Sequence, residues 1–151
     1  MYKNPSPCVS VLVVNENKIL LGKRGDSKIK PGKWCLPCGY MERKENCIQA
    51  AIREVKEETN LDIRLKNIVN VVSNHYPGKE HSLVIVLTAE PVSDKAIAGD
   101  DIVEVTWKCL DEPLLEMAFQ ADIHIIEQYR KYGENFGIPL DKTIIEFTEK
   151  I

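Results

Sequence analysis

The stretch Asn46-Cys-Ile-Gln-Ala-Ala-Ile-Arg-Glu-Val-Lys-Glu-Glu-Thr-Asn60 decides how this 151-residue chain is built. Ile48, Ala51, Ile52 and Val55 recur at i, i+3, i+4 and i+7, the spacing that lines one face of an α-helix. Asn46 with Gln49 three residues later makes a variant of the capping box, so a helix is expected over residues 46–59. Asn60 suits its end, because Asn tolerates the left-handed conformation used at helix stops.

Working outward, strands surround this helix. Residues 8–14, CVSVLVV, are β-branched and almost wholly apolar, as in a strand buried on both faces. Asn15-Glu-Asn17 is a turn, and residues 18–24 read as the returning strand of a hairpin. A polar loop over 26–32 closes on Pro31-Gly32, and a short extended piece follows at 34–36. Residues 62–65, 68–73, 82–89 and 102–108 read as strands, with Pro77-Gly78 turning the chain between the second and third. Helices are expected at 114–119 and 121–132, and residues 142–149 fit either a strand or a short helix. Hairpins around one strongly amphipathic helix predict an α/β fold in which a mixed sheet is covered by helices, not a doubly wound sheet. No composition break or repeat divides residues 1–151, so a single domain is expected.

Composition narrows the function. A net charge of −3 argues against a protein that grips a nucleic-acid backbone along a basic face. The longest clearly apolar run, residues 83–87, is far short of the roughly 20 residues of a membrane helix. The first residues lack a basic-then-apolar leader pattern. Five cysteines, an odd number, fit reduced thiols. A cytoplasmic protein with neither membrane nor nucleic-acid partner is expected. The dinucleotide pattern GxGxxG and the P-loop pattern are both absent.

The chemistry lies in Glu54, Glu57 and Glu58. Glu54 and Glu58 sit one turn apart on the same face, and Glu57 lies beside them. All three stand near the helix C-terminus, where the macrodipole disfavours anions. A mixed charged stretch is ordinarily a solvated face, and Arg53 and Lys56 are close by. A bound hard cation such as Mg²⁺ would relieve both the repulsion and the dipole penalty.

Gly39, Glu45, Arg53, Glu54, Val55, Glu57, Glu58 and Leu61 resemble the Nudix box, GX5EX7REUXEEXGU with U apolar, spanning residues 39–61. Eight of the nine specified positions match, and chance agreement is on the order of 10⁻⁸ per starting point. Trp34-Cys-Leu-Pro-Cys-Gly39 is similar to the W-x-L-P-G-G approach of that family. Two departures are visible. Asn60 replaces the box Gly, and Cys38 replaces the first Gly of the Gly-Gly pair, where a required positive φ would strain it.

The resemblance implies the Nudix fold, a mixed sheet between helices, and hydrolysis of a nucleoside diphosphate linked to another moiety. It implies Mg²⁺, with Mn²⁺ able to substitute, held by Glu54, Glu57, Glu58 and the Cys38 carbonyl. Water attacks phosphorus, with Glu54 or an acid outside the box as its activator. Glu45 and Arg53 would form a supporting pair, and Ile48, Ala51, Ile52, Val55 and Leu61 would be core. Asp100 and Asp101 offer an extra acid or an ordinary acidic turn. Lys23 and Arg24 offer phosphate contacts or a solvated strand end. Pro-Cys-Gly-Tyr-Met-Glu42 is similar to the P-G-G-F-M-E of branches acting on ADP-ribose and dinucleotides. Nucleotide sugars and (deoxy)nucleoside triphosphates stay open, as does a homodimer. The alternative is a non-catalytic Nudix-fold sensor, though such proteins often lose box glutamates. An isoprenoid diphosphate isomerase would need a catalytic Cys, which Cys35 or Cys38 could mimic. Cys35-Leu-Pro-Cys38 does not open a helix and has no second ligand pair, so dithiol or zinc chemistry is not expected. Trp34, Tyr40, Tyr76 and Phe119 could stack on a base but are more often core or loop aromatics.

Overall fold

A computed structural model describes residues 4–75, 77–78, 80–141 and 145. The chain runs β1 (Ser6–Asn15), β2 (Lys18–Arg24), β3 (Trp34–Cys35), β4 (Cys38–Tyr40), α1 (Cys47–Thr59), β5 (Ile63–His75), β6 (His81–Pro91), β7 (Ile102–Cys109), α2 (Gln120–Tyr132), a 3₁₀ turn (Gly133–Asn135) and β8 (Ile138–Pro139). Tyr76 and the segment 142–149, apart from Ile145, lie outside the described residues.

The sheet has the order β3-β2-β1-β6-β5-β8, with β4 paired to β1 and β7 to β2. It is mixed: β1 runs parallel to β6 from Ser6↔Ser82 to Val13↔Ala89, while the other pairs are antiparallel. Alternation along β1 and β2 assigns the two faces, because successive strand side chains point to opposite sides. Val9, Val11, Val13 and Leu20 pack with Ala51, Val55 and Leu61 of the α1 layer. Leu12, Ile19 and Leu21 pack with Ile125 and Ile126 of α2. The sheet therefore lies between two helices, as the pattern predicts.

The ends of α1 are local chemistry. Asn46 accepts the Gln49 N–H at 2.9 Å, and the Gln49 side chain accepts the Asn46 N–H at 3.0 Å, so the capping box is complete. Asn60 is left-handed, with φ 64°. The stripe itself needs correction. Ile52 is 42% exposed, whereas Ala50, Glu54 and Glu58 are buried. The buried arc runs from Ala50 through Glu54, Glu58, Ala51 and Val55 to Ile48, so it is rotated toward the carboxylates and leaves Ile52 past its edge.

Two further expectations change. Residues 62–65 and 68–73 belong to one strand, β5, which absorbs the interruption as register shifts at Leu65/Ile68 and Ile68/Asn70. Residues 114–119 are not helical. Their backbone bonds to Trp34 instead, the Trp34 N–H to Glu116 O at 2.9 Å and the Ala118 N–H to Trp34 O at 2.7 Å. Those bonds take up groups an α-helix would need.

Candidate active site

The site forms where the C-terminal half of α1 meets β4, the loop 25–33 and the loop 96–101. Gly39 makes the closest approach. A Cβ built on it would lie 2.2 Å from the Glu54 carboxyl, so only glycine lets that carboxylate rest on the β4 backbone. Gly99 plays the matching part at the helix end, where a Cβ would come 2.4 Å from Glu57 O. There the Ile97 N–H donates to Thr59 O at 2.8 Å and the Gly99 N–H to Glu58 O at 3.0 Å, satisfying carbonyls the helix leaves open.

Arg53 ties loop to helix. Its Nε donates to Glu45 Oε1 and its Nη2 to Glu45 Oε2 at 2.9 Å, a forked pair that suits a planar guanidinium. It also donates to Glu54 Oε1 at 2.8 Å, Glu57 Oε2 at 3.2 Å and Tyr40 O at 3.0 Å. These bonds, Glu45 first, hold the guanidinium above its ordinary pKa, and the Arg53 hydrogen bond lowers that of Glu45.

Glu54 and Glu58 are carboxylates in the interior, 8% and 1% exposed. Burial raises the Glu54 pKa to about 7; Arg53 opposes the shift, and the charge of Glu58 adds to it. Burial raises Glu58 as well, against Lys28 and the Cys38 N–H, with Asp100 adding repulsion. Glu58 Oε1 accepts the Cys38 N–H at 2.8 Å, and Oε2 faces Lys28 Nζ at 3.0 Å. Burial works against the Lys28 ammonium, but Glu58 outweighs it and lifts its pKa. The oxygens of Glu54, Glu57 and Glu58 are hard donors, and their crowding is what a divalent cation relieves. The donor set therefore fits such an ion. It does not yet converge: among the described residues no group of three His, Cys, Asp or Glu side chains is gathered to hold a metal.

The other candidate residues separate. Cys38 does not have a positive φ, so it sits without strain where the pattern has Gly. Lys23 is not brought to the site; it lies 3.9 Å from Glu104 of β7. Arg24 is buried rather than a solvated strand end: Nε donates to Ile29 O at 2.5 Å, Nη1 to Cys35 Sγ at 3.4 Å, and the guanidinium lies 4.8 Å from the Phe119 ring centroid. Asp101 accepts the Ser27 hydroxyl at 2.8 Å and its carbonyl accepts the Gly25 N–H, so it anchors the loop 25–33. Asp100, at φ 51°, is the acid whose charge reaches Glu58. The five cysteines are free thiols, and His75 and His81 are cross-strand neighbours with ring centroids 5.3 Å apart.

Beside the carboxylates opens a cavity of about 270 Å³. Arg24, Lys28, Cys38 and Gly39 border it toward the glutamates; Val72, Val84, Val86, Phe119 and Ile125 line it elsewhere. Three polar side chains in its wall are buried, Arg24 among them. Asp122 of α2 accepts the Leu36 N–H at 3.1 Å, and burial raises its pKa to about 6. Ser10 Oγ, on β1, has no hydrogen-bond partner among the described residues. Lys28, Ser10 and Asp122 were not legible as site residues. Nothing in the spacing of the polar loop sets Lys28 apart, and Ser10 reads as one small residue in an apolar strand.

The NUDIX domain family model matches residues 4–129. An ADP-ribose pyrophosphatase of Methanocaldococcus jannaschii is 33% identical over 135 residues, covering 87% of this chain and 77% of the relative. The NAD-capped RNA hydrolase NudC of Pseudomonas aeruginosa is 30% identical over 130 residues, 85% of this chain but only 45% of that protein. A crystal structure of a NUDIX hydrolase from Nitrosomonas europaea superposes with a TM-score of 0.79 at 26% identity, covering 93% of this chain and 78% of the other. With Glu54, Glu57 and Glu58 on the last turns of one helix and the family model spanning most of the sequence, the chain belongs to the Nudix hydrolase family.

Proposed function

We propose that this chain is a Mg²⁺-dependent pyrophosphohydrolase of small nucleoside diphosphate derivatives, ADP-ribose first among them. The observation that carries the reading is Gly39 against Glu54, a contact that fixes one box carboxylate beside the cavity. The name of the archaeal relative supports ADP-ribose, and the net charge of −3 favours a small nucleotide over capped RNA. Nucleotide sugars, dinucleotides and (deoxy)nucleoside triphosphates share the same diphosphate chemistry.

Glu54, Glu57 and Glu58, with the Cys38 carbonyl, would hold the cation, and Mn²⁺ should substitute. When bound, the ion supplies Lewis-acid stabilisation of phosphoryl charge and lowers the pKa of water. Arg53 and Glu45 hold the glutamates in place. Glu54, held beside the cavity, or an acid outside the box would take a proton from the attacking water. Asp100, near Glu58, is the better placed of the two extra acids. Lys28 and Arg24 present positive charge where the diphosphate would enter, and the apolar wall with Phe119 would seat the base. Among the described residues no helix is long and apolar enough to cross a membrane.

The test is a panel of ADP-ribose, NADH, nucleotide sugars, dinucleotides and dNTPs, incubated with Mg²⁺ or with excess EDTA and analysed for nucleoside monophosphate and pyrophosphate. Cleavage of ADP-ribose, lost in EDTA, is expected. Tight binding of ADP-ribose without turnover of any substrate would instead identify a sensor.

A further inference from the structure

Lys28 stands where an incoming cation must act. Its ammonium is 3.0 Å from Glu58 Oε2; the Glu58 side chain is buried, 1% exposed, and that of Lys28 is half-buried, 17% exposed. The other Glu58 oxygen accepts the Cys38 N–H. Both oxygens are therefore engaged, and a divalent ion reaching Glu58 must displace the ammonium or share the carboxylate with it against like-charge repulsion. The loop carrying Lys28 is held at fixed points: Gly25 N–H on Asp101 O, Ser27 on the Asp101 carboxylate, and Ile29 O under Arg24. Between those points Lys28 faces Glu58 and also borders the 270 Å³ cavity.

We infer that Lys28 is a resident counter-ion which Glu58 exchanges for the divalent cation, and that the released ammonium then binds the substrate's diphosphate. The inference rests on the metal reading proposed above. In the metal-free protein Lys28 neutralises a buried carboxylate that would otherwise be costly. Cation binding alone forfeits that pair and so is weak. A diphosphate in the cavity gives Lys28 a new partner, so nucleotide and cation strengthen each other's binding by the same factor. Lys28 is thus a competitor of the cation at Glu58 and a binding residue for the nucleotide, and its two roles predict effects of opposite sign.

The experiment measures Mn²⁺ binding by the paramagnetic resonance signal of the free ion, with and without α,β-methylene ADP, which this class of reaction cannot cleave. Wild type, Lys28→Met, Lys28→Gln and Lys28→Arg are compared, each with a thermal unfolding control. Without nucleotide, the two neutral variants should bind Mn²⁺ about tenfold to a hundredfold more tightly, the worth of a buried charge-assisted hydrogen bond. They should lose most of the gain in Mn²⁺ affinity that nucleotide gives the wild type, and their KM for the diphosphate substrate should rise more than kcat falls. Lys28→Arg should stay near wild type. Unchanged Mn²⁺ affinity in folded neutral variants overturns the exchange while leaving the metal reading intact. Wild-type protein that binds no Mn²⁺, with or without nucleotide, overturns both. Failure of both neutral variants to fold even with Mn²⁺ also overturns the exchange, since a counter-ion the fold cannot lose cannot be traded for a metal.

Discussion

Gly39→Ala tests the contact on which the functional reading stands. The added methyl would begin 2.2 Å from both Cδ and Oε1 of Glu54 and 2.4 Å from Oε2. Ordinary contact starts near 3.4 Å, so the carboxyl must retreat from 2.2 Å to 3.4 Å, about 1.2 Å. What moves is the far end of a flexible side chain, and Gly39 does not have a positive φ, so the strand should accept alanine. Folding should therefore survive, with a loss of no more than about 1 kcal/mol from the disturbed Arg53–Glu54 hydrogen bond. Activity should not survive. Misplacing a catalytic group by about 1 Å costs on the order of 10²-fold. Steady-state kinetics on ADP-ribose with saturating Mg²⁺ would show kcat/KM down by about that factor, while thermal unfolding in EDTA shifts by only a few degrees. Wild-type kinetics in Gly39→Ala would refute the argument, because the carboxylate would then have room to move without consequence.

Glu58→Gln should abolish most turnover, yet keep an acceptor for the Cys38 N–H, so circular dichroism should show the native fold. Ser10→Ala should raise the melting temperature of ligand-free protein, since it removes a buried unpartnered hydroxyl worth about 1 kcal/mol. The same change should weaken binding of a nucleotide that uses that hydroxyl, as equilibrium dialysis would reveal. Stability in EDTA should fall as pH rises from 5 to 8. Glu54, with a folded pKa near 7 against 4.5 normally, contributes stability that is present below the normal value and lost through the folded one. Glu58 and Asp122 act in the same sense; Glu45, lowered by Arg53, titrates below this window, and Cys35, lowered from the ordinary thiol value by the Cys38 hydrogen bond, works in the opposite sense toward its alkaline side. The expected loss from Glu54 is on the order of 2–3 kcal/mol, and saturating Mg²⁺ should flatten it; a metal-free melting temperature that rises over this range would contradict the burial of these acids.

Local signals were the legible ones. The capping box at Asn46, the left-handed stop at Asn60 and the run Lys18–Arg24 each depend on residues within a few positions of one another, and all appear as read. The box itself was legible because its members fall within 23 consecutive residues, from Gly39 on β4 through α1 to Leu61 just past it. What failed depends on distant partners. Ile52 fits the stripe, but the helix is turned to bury Glu54 and Glu58 against β4 and Lys28. Lys28 is 30 residues from Glu58, and no periodicity links them. Residues 114–119 carry a helical pattern, yet Trp34 claims their backbone. Lys23 and Arg24 look alike in the sequence and both pair with β7, but a register shift falls between them, and Lys23 meets Glu104 at the surface while Arg24 is buried.

The central position of β1 has a kinetic consequence. This most apolar segment of the chain is parallel to β6, so Ser6 meets Ser82, and 76 residues separate the partners. During synthesis β1 emerges ahead of these partners and waits for β6, with only the short ladders to β2, Val14↔Ile19 and Asn15↔Lys18, and to β4, Cys8↔Tyr40 to Ser10↔Cys38, to hold it in the meantime among the described residues. Closing such a distant contact pays its loop entropy before any stability returns, which slows folding. The strand that ends up covered on both faces is thus the one exposed longest on the way there. Expression that outpaces the arrival of β6 would favour aggregation through Cys8–Val13, all of it buried in the folded protein.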